Sequence, residues 1–211
     1  MSVPDNTTPT TSGEASAPAQ SPATDSYSIH AAMHPNKLAL ICGERTLTYA
    51  ELNARANRVA NALQSLGTQG GDRVAVMVHN SLEGLEMVAG LSKLAAMHVP
   101  VNYRFREHEV AYVINDSGAK IVVAGPELVQ TVEKARAEVQ DKPIYIAIGS
   151  EAPIGWLHYE ELLEAFSEHP TVGEAATLAV IYTSGTTGNP KGAYRPTGVP
   201  GQDILGIIHT F

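Results

Sequence analysis

Short apolar runs alternate along this chain with longer segments in which apolar residues recur every three or four positions. An apolar run of four to eight residues is typical of a buried strand, and helical spacing is typical of an amphipathic helix. The pattern predicts strands at 74–78, 98–102, 120–124, 144–148 and 178–182, and helices at 80–97, 107–115, 126–139 and 159–166. Strands separated by helices of this length pair in parallel through right-handed crossovers. We therefore expect an α/β fold with a doubly wound, largely parallel sheet flanked by helices.

Smaller elements are predicted ahead of this alternation. A helical turn ending at Pro35 leads to two short runs, 38–42 and 46–48, which a Gly-Glu turn joins into a hairpin. Thr48 and Glu51 form a Thr-x-x-Glu capping box, which marks the start of a helix that ends at Gly67. The apolar positions of this helix are Leu52, Ala56, Val59, Leu63 and Leu66.

Residues 1–27 differ in composition from the rest of the chain. They are mostly Ser, Thr, Pro and Ala, with no Lys or Arg and with three acids, Asp5, Glu14 and Asp25. Such a segment buries too little apolar surface to offset its conformational entropy, and it lacks the basic start and apolar core of a signal peptide. We predict a disordered tail at 1–27 and one folded domain at 28–211.

Composition and charge narrow the possible partners. The 211 residues are 44% hydrophobic and carry a formal net charge of −8, which argues against nucleic acid and anionic membrane surfaces as partners. No apolar run is long enough for a transmembrane segment. The one cysteine, Cys42, lies in an apolar run, which predicts a buried thiol in a reducing, cytoplasmic compartment. The eight histidines show no metal-ligand spacing, and the acids around His158 and Glu161 indicate a solvated helix face.

The candidate chemistry is concentrated at 182–193, Tyr-Thr-Ser-Gly-Thr-Thr-Gly-Asn-Pro-Lys-Gly-Ala, directly after the last predicted strand. Its glycines permit positive φ and close approach of backbone amides to a ligand, and its Ser and Thr residues supply hydroxyl groups. Lys191 adds a positive charge suited to phosphate oxygens. Because ligands of open α/β sheets bind beyond the carboxyl ends of the strands, we predict that this loop holds the triphosphate of a nucleotide.

Two other interpretations of this loop exist. The P-loop of nucleotide triphosphatases requires Gly-Lys followed by Ser or Thr, but here Pro190 precedes Lys191 and Gly192 follows it. A kinase-like or GTPase-like site is therefore disfavoured. The remaining alternative is an ordinary surface turn rich in Ser, Thr and Gly.

The string at 182–192 resembles the phosphate-binding loop of the adenylate-forming superfamily, which contains acyl-CoA synthetases, aryl-CoA ligases, luciferases and peptide-synthetase adenylation domains. The resemblance implies that the loop holds ATP while a carboxylate attacks the α-phosphorus, which gives an acyl-adenylate and pyrophosphate. It also implies that the Thr186 hydroxyl binds magnesium and that Lys191 has a catalytic contact with phosphate. The implied nucleotide contacts are Thr183, Ser184, Gly185, Thr186, Thr187, Gly188 and Lys191.

Two further segments, within roughly residues 29–195, resemble the same superfamily. Residues 47–52 read Leu-Thr-Tyr-Ala-Glu-Leu, and 99–104 read Val-Pro-Val-Asn-Tyr-Arg, a version typical of acyl-CoA synthetases. The resemblance implies an acyl-CoA synthetase that uses a carboxylic acid, with fatty acid as the expected class, together with ATP, Mg²⁺ and CoA. Arg104 and Arg106 are interpreted either as attracting CoA phosphates or, as we favour, as exposed residues at a helix start.

The resemblance stops after Gly192. Where the superfamily continues with a Thr-His pair and a long helix, this chain reads Ala-Tyr-Arg-Pro, and it ends at Phe211 in an apolar, helix-like run from Asp203. The superfamily's magnesium-binding glutamate, ribose-binding aspartate and C-terminal lysine have no counterpart in these residues. We therefore expect a truncated N-terminal AMP-binding domain with little ligase activity alone. The alternative is a non-catalytic remnant that acts as a nucleotide-binding or interaction module, and the oligomeric state stays open.

Overall fold

The computed structural model describes residues 25–170, 178–183 and 191–194. The helices in these ranges are α1 (Ser26–Met33), α2 (Tyr49–Ser65), α3 (Leu82–Lys93), α4 (Glu107–Ser117), α5 (Val129–Ala135) and α6 (Tyr159–Glu164). The strands are β1 (Leu38–Cys42), β2 (Arg45–Thr48), β3 (Arg73–Met77), β4 (Met97–Pro100), β5 (Ile121–Ala124), β6 (Ile144–Ala147), β7 (Leu157–His158), β8 (Leu178–Thr183) and β9 (Lys191–Tyr194). A short 3-10 turn, Arg136–Glu138, follows α5.

The main sheet of the described chain has seven strands in the order β7-β6-β5-β3-β4-β8-β9. Every neighbouring pair from β7 to β8 is parallel, and β9 runs antiparallel to β8 at the edge. The chain passes from β3 to β4 through α3 and then returns through α4 to β5, on the other side of β3. This reversal confirms the doubly wound, largely parallel sheet.

Side chains alternate across the sheet and build two apolar layers. Ala75, Val99 and Val122 pack with α4 and α5 on one face. Val74 and Val123 pack with α2, α3 and α6 on the other face. Successive residues of a strand point to opposite faces, and helices cover both, which explains why the sheet strands are continuous apolar runs in the sequence.

The predicted hairpin and capping box are confirmed. Strands β1 and β2 pair antiparallel. The Glu51 amide donates to the Thr48 hydroxyl at 3.2 Å, and the Thr48 amide donates to the Glu51 carboxylate at 2.8 Å. The buried apolar positions of α2 include Leu52, Ala56, Val59 and Leu63, whereas Leu66, just past the helix end, is half-buried.

The folded part begins earlier than the sequence analysis predicts. Helix α1 starts at Ser26, inside the predicted 1–27 tail, and Asp25, Ser26 and Tyr27 are buried. The Asp25 carboxylate caps this helix by accepting a 2.9 Å hydrogen bond from the Ser28 amide. The polar composition of residues 1–27 placed the predicted boundary too late, because an aspartate that is buried as a helix cap has the same composition as one that is exposed. Residues 1–24 lie outside the described part of the chain.

Three other details differ from the prediction. Helix α3 ends at Lys93 rather than near 97, because Ala95 adopts a left-handed conformation with φ 52° and Met97 already belongs to β4. Strand β7 begins at Leu157, the last residue of the segment predicted as a loop, 149–157. Cys42 is half-buried rather than buried, because its strand belongs to a separate two-stranded sheet.

Candidate functional site

Strands β8 and β9 form the hairpin that carries the predicted phosphate loop. Their register places Tyr182 opposite Gly192 and Thr183 opposite Lys191. The first and last predicted nucleotide contacts therefore face each other across the two strands, and residues 184–190 connect them. Strand β9 was not predicted, because Lys-Gly-Ala-Tyr is too short and too mixed to indicate a strand by its pattern.

Strand β8 enters the sheet parallel to β4, with Leu178 opposite Met97 and Ala179 opposite His98. The remaining predicted nucleotide contacts and the predicted magnesium ligand lie outside the described residues: Ser184, Gly185, Thr186, Thr187 and Gly188. The helix-like run at 203–211 also lies outside them.

Gly192 permits close packing at the base of the loop. A Cβ atom at this position would lie 3.0 Å from Cζ of Tyr182 and 3.2 Å from Cγ1 of Val180, which is tighter than ordinary van der Waals contact. The loop glycines are predicted to permit positive φ, but Gly192 does not adopt it, and the Tyr182 ring packs against this residue.

Tyr182 also joins the hairpin to α4. Its hydroxyl donates a 2.7 Å hydrogen bond to Oδ2 of Asp116, in the last turn of that helix. Burial, together with the hydrogen bond to Asp116 and the charge of that residue, raises the pKa of Tyr182 above its ordinary value. The hydroxyl therefore stays protonated at neutral pH and remains a donor. Sequence reasoning missed this pair because its members are 66 positions apart.

An open cavity of about 560 Å³ lies beside the same hairpin. Arg73 and Met97, the first residues of β3 and β4, line it together with Asp116 and Tyr182. Val180 and Gly192 also line the cavity, so it lies between the stem of the hairpin and the end of the sheet where β3 and β4 begin.

Exposed aromatic and basic side chains follow the carboxyl ends of β3 and β4. The ring centroids of His79 and Tyr103 are 4.6 Å apart, and the Arg104 guanidinium carbon lies 5.5 Å from the Tyr103 centroid. Because β3 leads to α3 on one face and β4 leads to α4 on the other, these residues lie at a switch point of the sheet, where ligands of such folds bind. Arg106 is the N-cap of α4, which confirms its predicted place at a helix start.

His98 is a half-buried titratable group of β4. It lies between Val74 of β3 and Ala179 of β8 in the register of the sheet. Burial lowers the pKa of His98 to about 4, because the charged imidazolium is poorly solvated there. The side chain is therefore neutral at pH 7 and adds no positive charge to the edge strands.

The described ranges contain no group of three or more His, Cys, Asp or Glu residues arranged to hold a metal ion. No helix within them has the length and apolar character required to cross a bilayer.

Comparison with known proteins identifies related sequences. The model of the AMP-binding enzyme family matches residues 28–199. The long-chain-fatty-acid–CoA ligase FadD13 of Mycobacterium tuberculosis is 39% identical over 150 residues, which are 69% of this chain and 29% of that protein. The indoleacetate–CoA ligase of Aromatoleum aromaticum is 34% identical over 183 residues, which are 85% of this chain and 36% of that protein. The chain thus spans about a third of the length of these curated relatives.

Solved structures show the same relationship. The anthranilate–CoA ligase AuaEII in complex with anthranoyl-AMP superposes with a TM-score of 0.74 at 27% identity, over 80% of this chain and 33% of that one. A fatty acyl CoA synthetase of Mycobacterium tuberculosis superposes with a TM-score of 0.66 at 30% identity, over 80% of this chain and 33% of that one. Sequence and fold therefore agree, and the chain belongs to the family of AMP-binding enzymes.

Proposed function

We propose that this chain forms the nucleotide-binding part of an ATP-dependent acyl-CoA synthetase. In the proposed reaction a carboxylic acid and ATP give an acyl-adenylate and pyrophosphate, and the acyl group then passes to the thiol of CoA with release of AMP. The observation that supports this most directly is the hairpin register, which sets Thr183 opposite Lys191 at the carboxyl end of β8. Membership of the AMP-binding family supplies the chemical context.

The proposed roles of the loop residues follow from their chemistry. Backbone amides and hydroxyl groups of residues 183–188 surround the ATP phosphates, and Lys191 provides a point charge for the phosphate oxygens. The Thr186 hydroxyl binds Mg²⁺, which neutralises phosphate charge when it is present. The pairing of Thr183 with Lys191 supports this arrangement, because it brings the first and last of the proposed nucleotide contacts together.

The other substrates follow from the relatives and from the exposed sheet edge. Long-chain-fatty-acid–CoA ligases of Mycobacterium tuberculosis and Thermus thermophilus are among the relatives, so we propose a fatty acid as the substrate. Ligases named for indoleacetate and for hydroxybenzoates make an aryl acid the competing class. Exposed Arg104 beside Tyr103 is a suitable place for an anionic group of CoA. The acidic net charge and the free Cys42 support a cytoplasmic location.

Equilibrium binding of Mg-ATP to the 211-residue chain tests the nucleotide part of the proposal. We expect measurable binding, and we expect Lys191→Ala and Thr186→Ala each to weaken it roughly tenfold or more, because a charge-assisted hydrogen bond is worth about 1.5–3 kcal/mol. Lys120→Ala is the matched control: it removes an exposed lysine that pairs with Asp72 at 2.8 Å, at the start of β5. Failure of the unmodified chain to bind Mg-ATP would contradict the proposal and favour the interaction module.

Exchange of pyrophosphate into ATP, and acyl-CoA formation, test the catalytic part. We expect little of either from the 211 residues alone, because adenylation requires ATP and the carboxylate to be held in line and a phosphate loop positions only one of them. Turnover close to that of complete acid–CoA ligases would contradict this expectation. It would also show that these residues contain the acid site.

A further inference from the structure

The stem of the predicted phosphate loop leaves the parallel sheet before the loop begins. Among the described residues, strand β8 pairs with β4 at Leu178 and Ala179 alone, opposite Met97 and His98. Residues Val180–Thr183 then pair with β9, as a two-stranded ribbon. Such a ribbon is marginally stable by itself in water, so its direction depends on side-chain contacts with the rest of the fold.

Tyr182 supplies such a contact at the base of the loop. Its hydroxyl lies 2.7 Å from the Asp116 carboxylate, and its ring lies against Gly192 of the opposite strand. Tyr182 immediately precedes Thr183, and Gly192 immediately follows Lys191. One side chain therefore touches both strands of the ribbon next to the two residues that begin and end the loop.

The other end of this contact is firmly held. Asn115, the neighbour of Asp116, donates a 3.0 Å hydrogen bond to the Glu138 carbonyl and accepts a 2.9 Å bond from the Gln140 amide. These bonds fix the last turn of α4 to the segment after α5. A binding group is held accurately when the residues that support it are themselves fixed by hydrogen bonds and packing.

We propose that Tyr182 and Asp116 are positioning residues for nucleotide binding, because their hydrogen bond fixes the ribbon against α4 and thereby orients the loop at 183–191. This inference rests on the proposed function and deepens it. Asp116 is exposed, so water replaces the lost partner when the bond is broken, and the bond adds little to global stability. Loss of the bond should therefore weaken nucleotide binding and change the thermal unfolding midpoint little.

Tyr182→Phe is the central variant, since it removes the hydroxyl and keeps the ring against Gly192. We expect Mg-ATP binding to weaken by roughly twofold to fivefold, with little change in the thermal unfolding midpoint. Asp116→Ala should have the same effect, and the double variant should bind no more weakly than either single variant, because both remove one shared bond. Asp116→Asn keeps an acceptor oxygen and should bind nearly as well as the unmodified chain.

Tyr145→Phe is the matched control. Tyr145 lies in the same apolar layer, on β6, and its buried hydroxyl has no hydrogen-bond partner among the described residues. Removal of this hydroxyl should leave the affinity for Mg-ATP unchanged. Equal affinity in Tyr182→Phe and the unmodified chain, or equal losses in Tyr182→Phe and Tyr145→Phe, would overturn the proposal.

Hydrogen exchange without nucleotide gives a second readout that does not depend on the proposed function. Tyr182→Phe and Asp116→Ala should raise amide exchange in peptides covering 178–194 and leave peptides covering 73–77 and 121–124 unchanged. If the unmodified chain binds no Mg-ATP, the proposed function fails. The exchange measurement still decides whether the Tyr182–Asp116 hydrogen bond holds the ribbon against α4. Unchanged exchange at 178–194 would overturn the inference.

Discussion

The hydroxyl of Tyr159 donates a 2.9 Å hydrogen bond to the carboxylate of Glu86, and both residues are almost completely buried. The same carboxylate accepts a 2.8 Å hydrogen bond from Arg55, which also pairs with Glu160. Burial opposes the charge of Arg55, but its hydrogen bonds to Glu160 and Glu86 outweigh that effect and raise the pKa of Arg55. This polar cluster joins α2, α3 and α6 within an apolar layer, so each member depends on its partners.

We predict that Tyr159→Phe lowers the free energy of unfolding by about 1.5–3 kcal/mol. The substitution keeps the ring under the Arg55 guanidinium and removes a hydrogen bond to a buried carboxylate, which is costly to leave without its donor. Urea denaturation measures the change. Tyr145→Phe is the control, since it removes a buried hydroxyl without a partner in the described ranges and should be neutral or slightly stabilising. Equal effects of the two substitutions would show that the hydrogen bond from Tyr159 to Glu86 does not contribute to the free energy of unfolding.

The second prediction concerns the first folded residues. The Lys93 ammonium is buried and lies 3.1 Å from the Asp25 carboxylate, 2.8 Å from the Ser28 hydroxyl and 2.8 Å from the Asn53 amide oxygen. Deletion of residues 1–28 should lower the free energy of unfolding by about 3–5 kcal/mol more than deletion of residues 1–24, because only the longer deletion removes the carboxylate that pairs with a buried cation.

Chemical denaturation of the two truncated chains checks this prediction. Lys93→Met in the shorter chain is the companion variant, and it should recover part of the loss, since an apolar side chain at this position no longer requires an anionic partner. Equal stability of the two truncations would contradict a role for Asp25 and would support the predicted boundary between residues 27 and 28.

A third prediction concerns the contact between α2 and α3. A Cβ atom on Gly90 would lie 2.4 Å from Cγ1 and 2.6 Å from Cβ of Val59, so Gly90→Ala forces the two helices apart. We expect a loss of about 1–3 kcal/mol, although alanine by itself favours a helix by about 1 kcal/mol over glycine. Thermal and urea unfolding measure it. Val59→Ala combined with Gly90→Ala should recover part of the loss, and a Gly90→Ala chain more stable than the original would refute the close contact.

The sequence predicts those elements that are determined by interactions between neighbouring residues, and it does not predict contacts between distant ones. The strands β3, β5 and β6 and the helix capped by Thr48 and Glu51 follow from neighbouring residues, and the structure confirms them. The Tyr182–Asp116 contact depends on a pairing across the fold, and no local pattern indicates it. Asp25 was misassigned for the same reason, because a carboxylate that caps a helix and pairs with Lys93 is indistinguishable by composition from one in a disordered tail.

The candidate site divides in the same way. A loop of hydroxyl groups and glycines with one lysine is evident from the order of its residues, and the match to the family model, at 28–199, includes it. The pairing of Thr183 with Lys191 could not be predicted in this way. It requires the short strand β9, which has too few apolar positions to indicate a strand. The role of Gly192 likewise required the position of the Tyr182 ring.

The last prediction concerns the pH dependence of stability. Burial lowers the pKa of His98 to about 4, whereas an imidazole in the unfolded chain has its ordinary pKa of about 6.5. Between these two values the unfolded state binds more protons than the folded state, so the free energy of unfolding falls as the pH is lowered from about 6.5 to about 4. The expected contribution of His98 is on the order of 3 kcal/mol over this window, and it is absent above pH 7.

Urea denaturation at several pH values isolates this contribution. His98→Val removes the titrating group and should reduce the slope of stability against pH between 4 and 6.5, whatever its effect at neutral pH. His108→Ala is the control: this exposed histidine bonds to Glu138 at 2.8 Å, which raises the pKa of His108 and gives it the opposite pH dependence. Since water screens an exposed pair, its removal should leave the acid slope nearly unchanged. A slope in His98→Val equal to that of the original chain would assign the acid sensitivity to other groups.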